Sequence, residues 1–103
     1  MTHDDVFQTL SDPTRRRVID ALHRGERSVN EIVATVGIHQ SGVSRHLGIL
    51  SAVGFVQHRV DGARRLYSLR PAPFREVAAW MSRYRSLWER RQVTRRDRRA
   101  KGR

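Results

Sequence analysis

Residues 28–54 read SVNEIVATVGIHQSGVSRHLGILSAVG, and this stretch decides the fold. Ser28 and Glu31 have the spacing of a capping box, in which the Ser side chain accepts from a free backbone N–H and the Glu side chain reaches back. Apolar residues follow at positions 29, 32, 33 and 36, which is the spacing of one helix face. The pattern predicts a short helix that ends at Gly37, where glycine adopts a left-handed backbone at little cost.

A second helix is predicted to restart near His39 and Gln40 and to end at Gly54. Its apolar residues lie on one stripe at helical spacing: Val43, Leu47 and Leu50. Two short helices joined by a tight turn that contains glycine are typical of a helix-turn-helix unit.

The segment before this unit predicts two further helices. The first has three apolar residues at helical spacing: Val6, Phe7 and Leu10. Asp12 then has the side chain of an N-cap, and Pro13 suits the first helical position because its missing N–H is not needed there. The helix that follows is predicted to end at Gly25, and its apolar side is formed by Val18, Ile19 and Leu22.

The segment after the unit predicts a β-hairpin and a last helix. Phe55–Val60 and Ala63–Leu69 are strand-like runs separated by Asp61-Gly62. This residue pair favours a two-residue type I′ turn. After two prolines, a long helical pattern runs from about Phe74 into the low nineties.

The chain has 103 residues and a formal net charge of +11. This length predicts one folded domain, residues 1–93, followed by a basic tail, residues 94–103, that is too poor in apolar residues to fold alone. The charge is uneven, because residues 90–103 hold 8 basic residues and 1 acidic residue. Such a charge indicates a polyanionic partner, either nucleic acid or an anionic membrane surface. The tail either attracts phosphates non-specifically, or it is a solvated solubility tail or an overhang of the last helix.

Composition also excludes several classes of protein. No run approaches the ~18 to 20 uninterrupted apolar residues that a membrane span needs. The first five residues, MTHDD, are polar and acidic rather than a secretory signal, so we expect a cytoplasmic protein. The absence of cysteine excludes disulfides, thiolate metal sites and a cysteine nucleophile. No catalytic motif is present, so we expect no enzyme activity.

The second helix of the helix-turn-helix unit has a small, polar outer face. Ser41, Ser44, Arg45 and Gly48 point away from the apolar stripe when the helix is drawn at 100° per residue. Such a face fits the major groove of DNA, where Arg45 can donate bidentately to guanine O6 and N7. The two serines can contact phosphates or base edges, and Gln40 can read adenine or hold a phosphate.

These residues resemble the ArsR family of bacterial regulators. Ser41–Leu50, followed by Gly54-Phe55-Val56, is similar to the family's recognition-helix signature and entry into the wing. Leu10–Arg16 is similar to the family's Leu-x-Asp-Pro-Thr-Arg opening, and Asp61–Leu69 resembles its wing and second strand. The resemblance implies a mainly α winged helix-turn-helix fold, with four helices, a β-hairpin wing and a fifth helix. It also implies a homodimer built from the first and last helices.

The pattern of the last helix supports a dimer independently. Its apolar residues sweep about half of the circumference, wider than the ~100° stripe of a helix that packs on one body. The predicted dimer-interface residues are Val6, Phe7, Leu10, Trp80, Met81, Tyr84, Leu87 and Trp88. The alternative is that the two tryptophans fill the core of their own domain.

A symmetric dimer presents two recognition helices to double-stranded DNA, so we expect an inverted-repeat operator. In the wing, Arg59, Arg64 and Arg65 flank the turn and can reach phosphates or the minor groove. Strand alternation sends Arg64 and Arg65 to opposite faces of the hairpin, and of these two we favour Arg64 as a DNA contact.

Many members of the ArsR family sense metals through Cys, His or acidic ligands, and this chain departs from those patterns. Residues 28–36 contain no Cys or His, and residues 74–91 contain no Cys, His or Asp, only Glu76 and Glu89. We therefore expect no metal site, no cofactor and a repressor that acts without metal, with its own operon as one candidate target. His46 borders the apolar stripe and is predicted to pack rather than to ligate. The effector, if one exists, stays open.

Two other functions compete with a sequence-specific repressor. A sequence-tolerant, nucleoid-associated binder would use the tail and the wing and bind unrelated duplexes about equally. A protein-interaction module would keep the winged helix but contact no DNA, and replacing Arg45 would then leave DNA behaviour unaltered.

Overall fold

A computed structural model describes residues 3–89 of the chain, with His3 defined in its backbone only. The elements in chain order are α1 (His3–Leu10), α2 (Pro13–Ala21), β1 (Arg27–Ser28), α3 (Val29–Val36), α4 (Gln40–Val53), β2 (Val56–Asp61), β3 (Arg64–Leu69) and α5 (Ala72–Ser82). Residues 85–89 are helical again. The predicted mainly α winged helix-turn-helix fold is confirmed. The predicted tail, 94–103, and the end of the domain at residue 93 lie outside the described residues.

The helix ends of the helix-turn-helix unit follow their local sequence signals. Ser28 and Glu31 form the predicted capping box, with Ser28 N–H donating to Glu31 Oε1 over 2.9 Å. Gly37 and Gly54 end α3 and α4 in left-handed conformations, with φ of +77° and +89°. The two ends are confirmed because glycine, which lacks a Cβ, adopts this conformation without strain.

The N-cap of α2 is the predicted Asp12. Its Oδ1 accepts from Thr14 N–H at 2.8 Å and from Arg15 N–H at 3.1 Å. The backbone N–H of Arg15 is the main cause that holds the pKa of Asp12 below its ordinary 3.8, and the N–H of Thr14 acts in the same direction.

We expect Asp12→Asn to remove part of the pH dependence of stability. A carboxyl whose pKa is lower in the folded state stabilises the fold at pH values above its unfolded pKa, and this contribution is lost as the pH falls through the folded pKa. Asn keeps the cap acceptor but does not titrate. Urea unfolding should therefore show wild type more stable than the variant at neutral pH, with the difference shrinking below about pH 4. Parallel pH profiles of the two proteins would contradict this.

A three-stranded antiparallel sheet forms in the order β1-β3-β2. The short strand β1 was not predicted from the sequence, and it pairs Arg27 with Tyr67 and Ser28 with Leu66. Its two residues carry no strand pattern of their own, so only pairing with β3 defines it.

The predicted type I′ turn at Asp61-Gly62 is wrong by one residue. Asp61 pairs with Arg64 at the end of the ladder, which leaves Gly62 and Ala63 as the two loop residues. Gly62 has a φ of +63°, and no non-glycine residue of the described chain has a positive φ. Glycine first and a residue with negative φ second is the type II′ pattern. This placement avoids a left-handed conformation at Asp61, which a type I′ turn would require.

The core lies between the helices and one side of the sheet. Its fully buried members come from α1, α2, α3, α4 and the start of the hairpin, and they include Val6, Val18, Ile32, Val43, Leu50 and Phe55. The expectation that Val6 lies at a dimer interface is wrong, because its side chain is fully buried in the core of its own protomer. Phe7 and Leu10, from the same helix, are half-buried.

Two helix ends differ from the predictions. α2 ends at Ala21 rather than Gly25, because Leu22 N–H bonds to Ile19 over 3.0 Å and tightens the last turn. The long last helix is interrupted after Ser82, where Tyr84 N–H bonds to the carbonyl of Met81 over 2.9 Å. In both places, backbone hydrogen bonds between residues three apart replace the α-helical bonds between residues four apart. The spacing of apolar residues in the sequence does not show where this replacement occurs.

Candidate nucleic-acid interface

The outer face of α4 is exposed as predicted. Val43, Leu47 and Leu50 are at most 1% exposed and hold the helix on the core. The opposite side is open to solvent and consists of Gln40, Ser41, Ser44, Arg45 and Gly48. Small side chains around one guanidinium leave the helix axis accessible to a partner that needs close approach.

Two glycines of α4 have opposite surroundings. A Cβ built on Gly48 meets no atom within 4 Å, so this position is open. A Cβ built on Gly42 stands 3.3 Å from Ile38 Cδ1, a tight contact within the turn between α3 and α4. The lack of a side chain at Gly42 thus allows Ile38 of the turn to pack closely against α4. The lack of a side chain at Gly48 leaves the backbone of α4 accessible from outside.

His39 caps the N-terminus of α4, a role that was not predicted from the sequence. Its Nδ1 lies 3.1 Å from the backbone N of Ser41 and 2.9 Å from Ser41 Oγ. A backbone N–H can only donate, so Nδ1 is the acceptor and carries no proton. The Ser41 hydroxyl lies beside the same nitrogen and stays exposed to solvent. Histidine is not among the usual capping residues, so only its position immediately before the helix gave a signal.

His46 is buried, as predicted for a packing residue. Its side chain is 8% exposed, and its Nδ1 is buried without a hydrogen-bond partner within residues 3–89. Its position on α4 therefore fixes it against the protein body, away from the outer face.

The arginines of α2 hold neighbouring helices. Arg15 Nε donates to the carbonyl of Thr9 over 2.9 Å, and Arg16 donates to Leu10 over 2.7 Å, at the end of α1. Arg17 donates to the carbonyl of Val36, at the end of α3. Carbonyls in the last turn of a helix lack intrahelical partners, so these guanidinium groups cap α1 and α3.

In the wing, two of the three predicted arginines are paired with carboxylates. Arg59 forms a fork with Glu26, with Nε and Nη2 at 3.1 and 2.6 Å from the two carboxylate oxygens. This fork lowers the pKa of Glu26 and raises that of Arg59. Arg64 Nη2 lies 3.4 Å from Asp61 Oδ2. The side chain of Arg65 has no hydrogen bond or ion pair within residues 3–89.

A second surface of interest lies where α1 meets α5. Phe7 and Trp80 pack edge to face with their ring centroids 5.4 Å apart, and the ring centroids of Trp80 and Tyr84 are 5.2 Å apart. Large apolar side chains nevertheless stay 40 to 61% exposed from the end of α5 through the helical residues that follow it: Trp80, Met81, Tyr84, Leu87 and Trp88. A cavity of about 430 Å³ opens beside them, between Asp4 and Arg83. The two tryptophans therefore do not simply fill their own core.

Two further findings concern ligands and membranes. Within the part of the chain that the structure describes, no three His, Cys, Asp or Glu side chains lie close enough to share a metal ion. Among those same residues, no helix has the length and apolar character required to cross a lipid bilayer.

Comparisons with known proteins point to regulators of transcription. A family profile described as a helix-turn-helix domain matches residues 10–59. The probable mercury resistance operon repressor of Streptomyces lividans is 42% identical over 72 residues, which are 66% of this chain and 58% of that protein. The transcriptional repressor SdpR of Bacillus subtilis is 31% identical over 78 residues, 76% of this chain and 87% of that protein.

Solved structures show the same likeness. The crystal structure of the ArsR family transcriptional regulator RHA00566 superposes with a TM-score of 0.71 at 31% identity. The match covers 84% of this chain and 89% of that chain. It therefore spans the helices and the wing together rather than the helix-turn-helix unit alone.

Proposed function

This chain belongs to the ArsR family of DNA-binding winged helix-turn-helix regulators, which are not enzymes, and we propose that it is a repressor that binds an inverted-repeat operator as a homodimer. The single observation that carries this proposal is the exposed outer face of α4. The face combines a guanidinium, small side chains and an open glycine, and its opposite side is anchored in the core.

The chemistry of that face suggests how bases are read. Arg45 presents a fork of donors that matches O6 and N7 of guanine. Ser41 presents an exposed hydroxyl that can donate or accept, so it can contact a phosphate or a base edge. Gln40 and Ser44 lie on the same surface and complete the contacts to phosphates or base edges.

The apolar surface around α5 supports the dimer. Five large apolar side chains exposed within residues 80–88 are unusual on a monomeric protein, and a second copy that presents the same surface would cover them symmetrically. The interface we propose contains Phe7, Leu10, Trp80, Met81, Tyr84, Leu87 and Trp88. Two α4 helices related by the twofold axis would then read half-sites about 34 to 36 Å apart on one side of B-DNA.

We propose that repression does not depend on a metal ion. The 103 residues contain no cysteine, so a thiophilic ion such as mercury has no thiolate ligand here, whatever the Streptomyces lividans relative binds. We propose that it acts in the cytoplasm, at the nucleoid. The simplest target is an operator in the protein's own operon.

Fluorescence anisotropy tests the proposed function directly. The DNA upstream of the protein's own gene and a shuffled duplex are titrated at two salt concentrations, with a chelator present. We expect the native duplex to bind about 1,000-fold more tightly or better, because base contacts add to phosphate contacts. The chelator should have no effect.

Equal, salt-sensitive binding to both duplexes would contradict the repressor and support the sequence-tolerant binder. Arg45→Ala in the same assay should lose about 1 to 3 kcal/mol per half-site and relax selectivity at one position. An unchanged titration with Arg45→Ala would instead favour a protein-interaction module.

A further inference from the structure

The β-hairpin of the wing has two faces of different character. Cross-strand partners lie on the same face of an antiparallel ladder. The inner face, as we call it, is formed by the pairs Val56 with Leu69, His58 with Tyr67 and Val60 with Arg65. The outer face is formed by the pairs Gln57 with Ser68, Arg59 with Leu66 and Asp61 with Arg64.

The inner face is on the same side of the sheet as α4. Val56 is 2% exposed and belongs to the core that contains Leu47 and Leu50 of α4, and Tyr67 and Leu69 pack against that core. Leu66 of the outer face is buried but lies outside this core. Further along the hairpin, Val60 and Arg65 of the inner face leave the body and are exposed, on the side of the sheet that packs against the core with α4.

The two faces also differ in charge. On the outer face Glu26 and Asp61 neutralise the two guanidinium groups, and for Arg59 the fork supplies two charge-assisted hydrogen bonds. A phosphate would have to displace these carboxylates. On the inner face, no carboxylate of residues 3–89 lies within 4.0 Å of Arg65, so its charge is available to a phosphate.

Val60 adds a second observation at the same place. It is the cross-strand partner of Arg65, and it is 68% exposed, the most exposed large apolar side chain of the described residues. An apolar side chain beside an unpaired guanidinium matches the surface of a DNA backbone, in which apolar deoxyribose alternates with charged phosphate.

We propose that the wing contacts DNA through Val60 and Arg65, and that Arg59 and Arg64, held by Glu26 and Asp61, do not contact phosphate. This inference rests on the proposed DNA-binding function and reverses the sequence-based preference for Arg64. Val60 lies against deoxyribose, and Arg65 neutralises one phosphate in each half-site.

Three matched substitutions test the inference: Arg65→Ala, Arg59→Ala and Arg64→Ala. Each removes one positive charge from an exposed wing position, so general effects of net charge are common to all three. The logarithm of the DNA association constant is measured against the logarithm of salt concentration on operator and shuffled duplexes. This slope is negative, and each phosphate contact that is lost reduces its magnitude by about 0.9. Arg65→Ala removes one contact from each protomer and should therefore reduce the magnitude by about 2 in a dimer. The other two variants should keep the wild-type slope.

The proposal is overturned if Arg59→Ala or Arg64→Ala lowers the slope as much as Arg65→Ala, or if Arg65→Ala leaves it unchanged. Val60→Ser should weaken binding to both duplexes without changing the slope, and unaltered affinity would overturn the apolar contact. Failure of the repressor function is recognised separately, because wild type would then bind both duplexes equally. The slopes on the shuffled duplex still report phosphate contacts in that case, since those contacts do not depend on sequence.

Discussion

Replacing Gly48 with Glu is expected to abolish operator binding while the protomer stays folded. The position is exposed on α4, and an added Cβ meets no atom of the protein within 4 Å. In the major groove, the same position must approach base edges between two rows of phosphates, so a long carboxylate is excluded by size and by charge. We expect the specific affinity to fall at least about 1,000-fold, to the level of non-specific binding. Anisotropy titration measures the loss, and circular dichroism verifies the fold.

Two further substitutions at the same position separate the causes. Gly48→Ala should raise the free energy of unfolding by about 0.5 to 1 kcal/mol, because alanine is the better helix former, and should keep most of the operator affinity. Gly48→Gln has the size of Glu without its charge, so its loss of affinity isolates the steric part. Wild-type binding by the Glu variant would show that this face of α4 does not meet DNA.

Replacing Leu87 with Glu is expected to convert the proposed dimer into monomers. Leu87 is 61% exposed, and it takes no part in the ring contacts that join Phe7, Trp80 and Tyr84. The substitution should therefore spare the protomer and place two carboxylates, one from each copy, in an apolar interface. A monomer engages one half-site at a time, so the operator affinity should fall by about 100-fold or more. Sedimentation equilibrium measures the mass, and anisotropy measures the affinity.

Ala34→Glu is a matched control for the mass measurement. It adds the same charge to an exposed position of α3, a helix that holds none of the proposed interface residues, and should leave the dimer intact. If Leu87→Glu sediments as wild type does, the exposed apolar side chains of residues 80–88 are not the interface.

The parts of the fold that depend on neighbouring residues were predicted correctly from the sequence. The capping box of Ser28 and Glu31, the N-cap Asp12 and the glycine ends of α3 and α4 each depend on residues within four positions. Such signals act within one helical turn, so no knowledge of the tertiary structure was needed. The buried stripe of α4, and with it the exposed recognition face, followed from periodicity in the same way.

The errors arose where a distant contact decides the outcome. Glu26 is 33 positions away from Arg59, so nothing in the wing sequence showed that one of its arginines is already paired. Val6 has the same apolar character as an interface residue, and only the packing of α1 against the core distinguishes the two roles. The hairpin turn moved by one residue because the register of the whole ladder, rather than the pair Asp61-Gly62, selected it.

Ile38 packs closely against Gly42, so this joint between the turn and α4 restricts which residues position 42 accepts. The exposed positions on the outer face of α4 have no such restriction. Any side chain at position 42 requires Ile38 to shift, whereas Ser44, Arg45 and Gly48 are open. Duplicated copies of such a gene can therefore diverge in operator preference at the three open positions without first falling below the stability that selection tolerates. A library that seeks a repressor for a new operator would randomise those positions and retain the glycine of the joint.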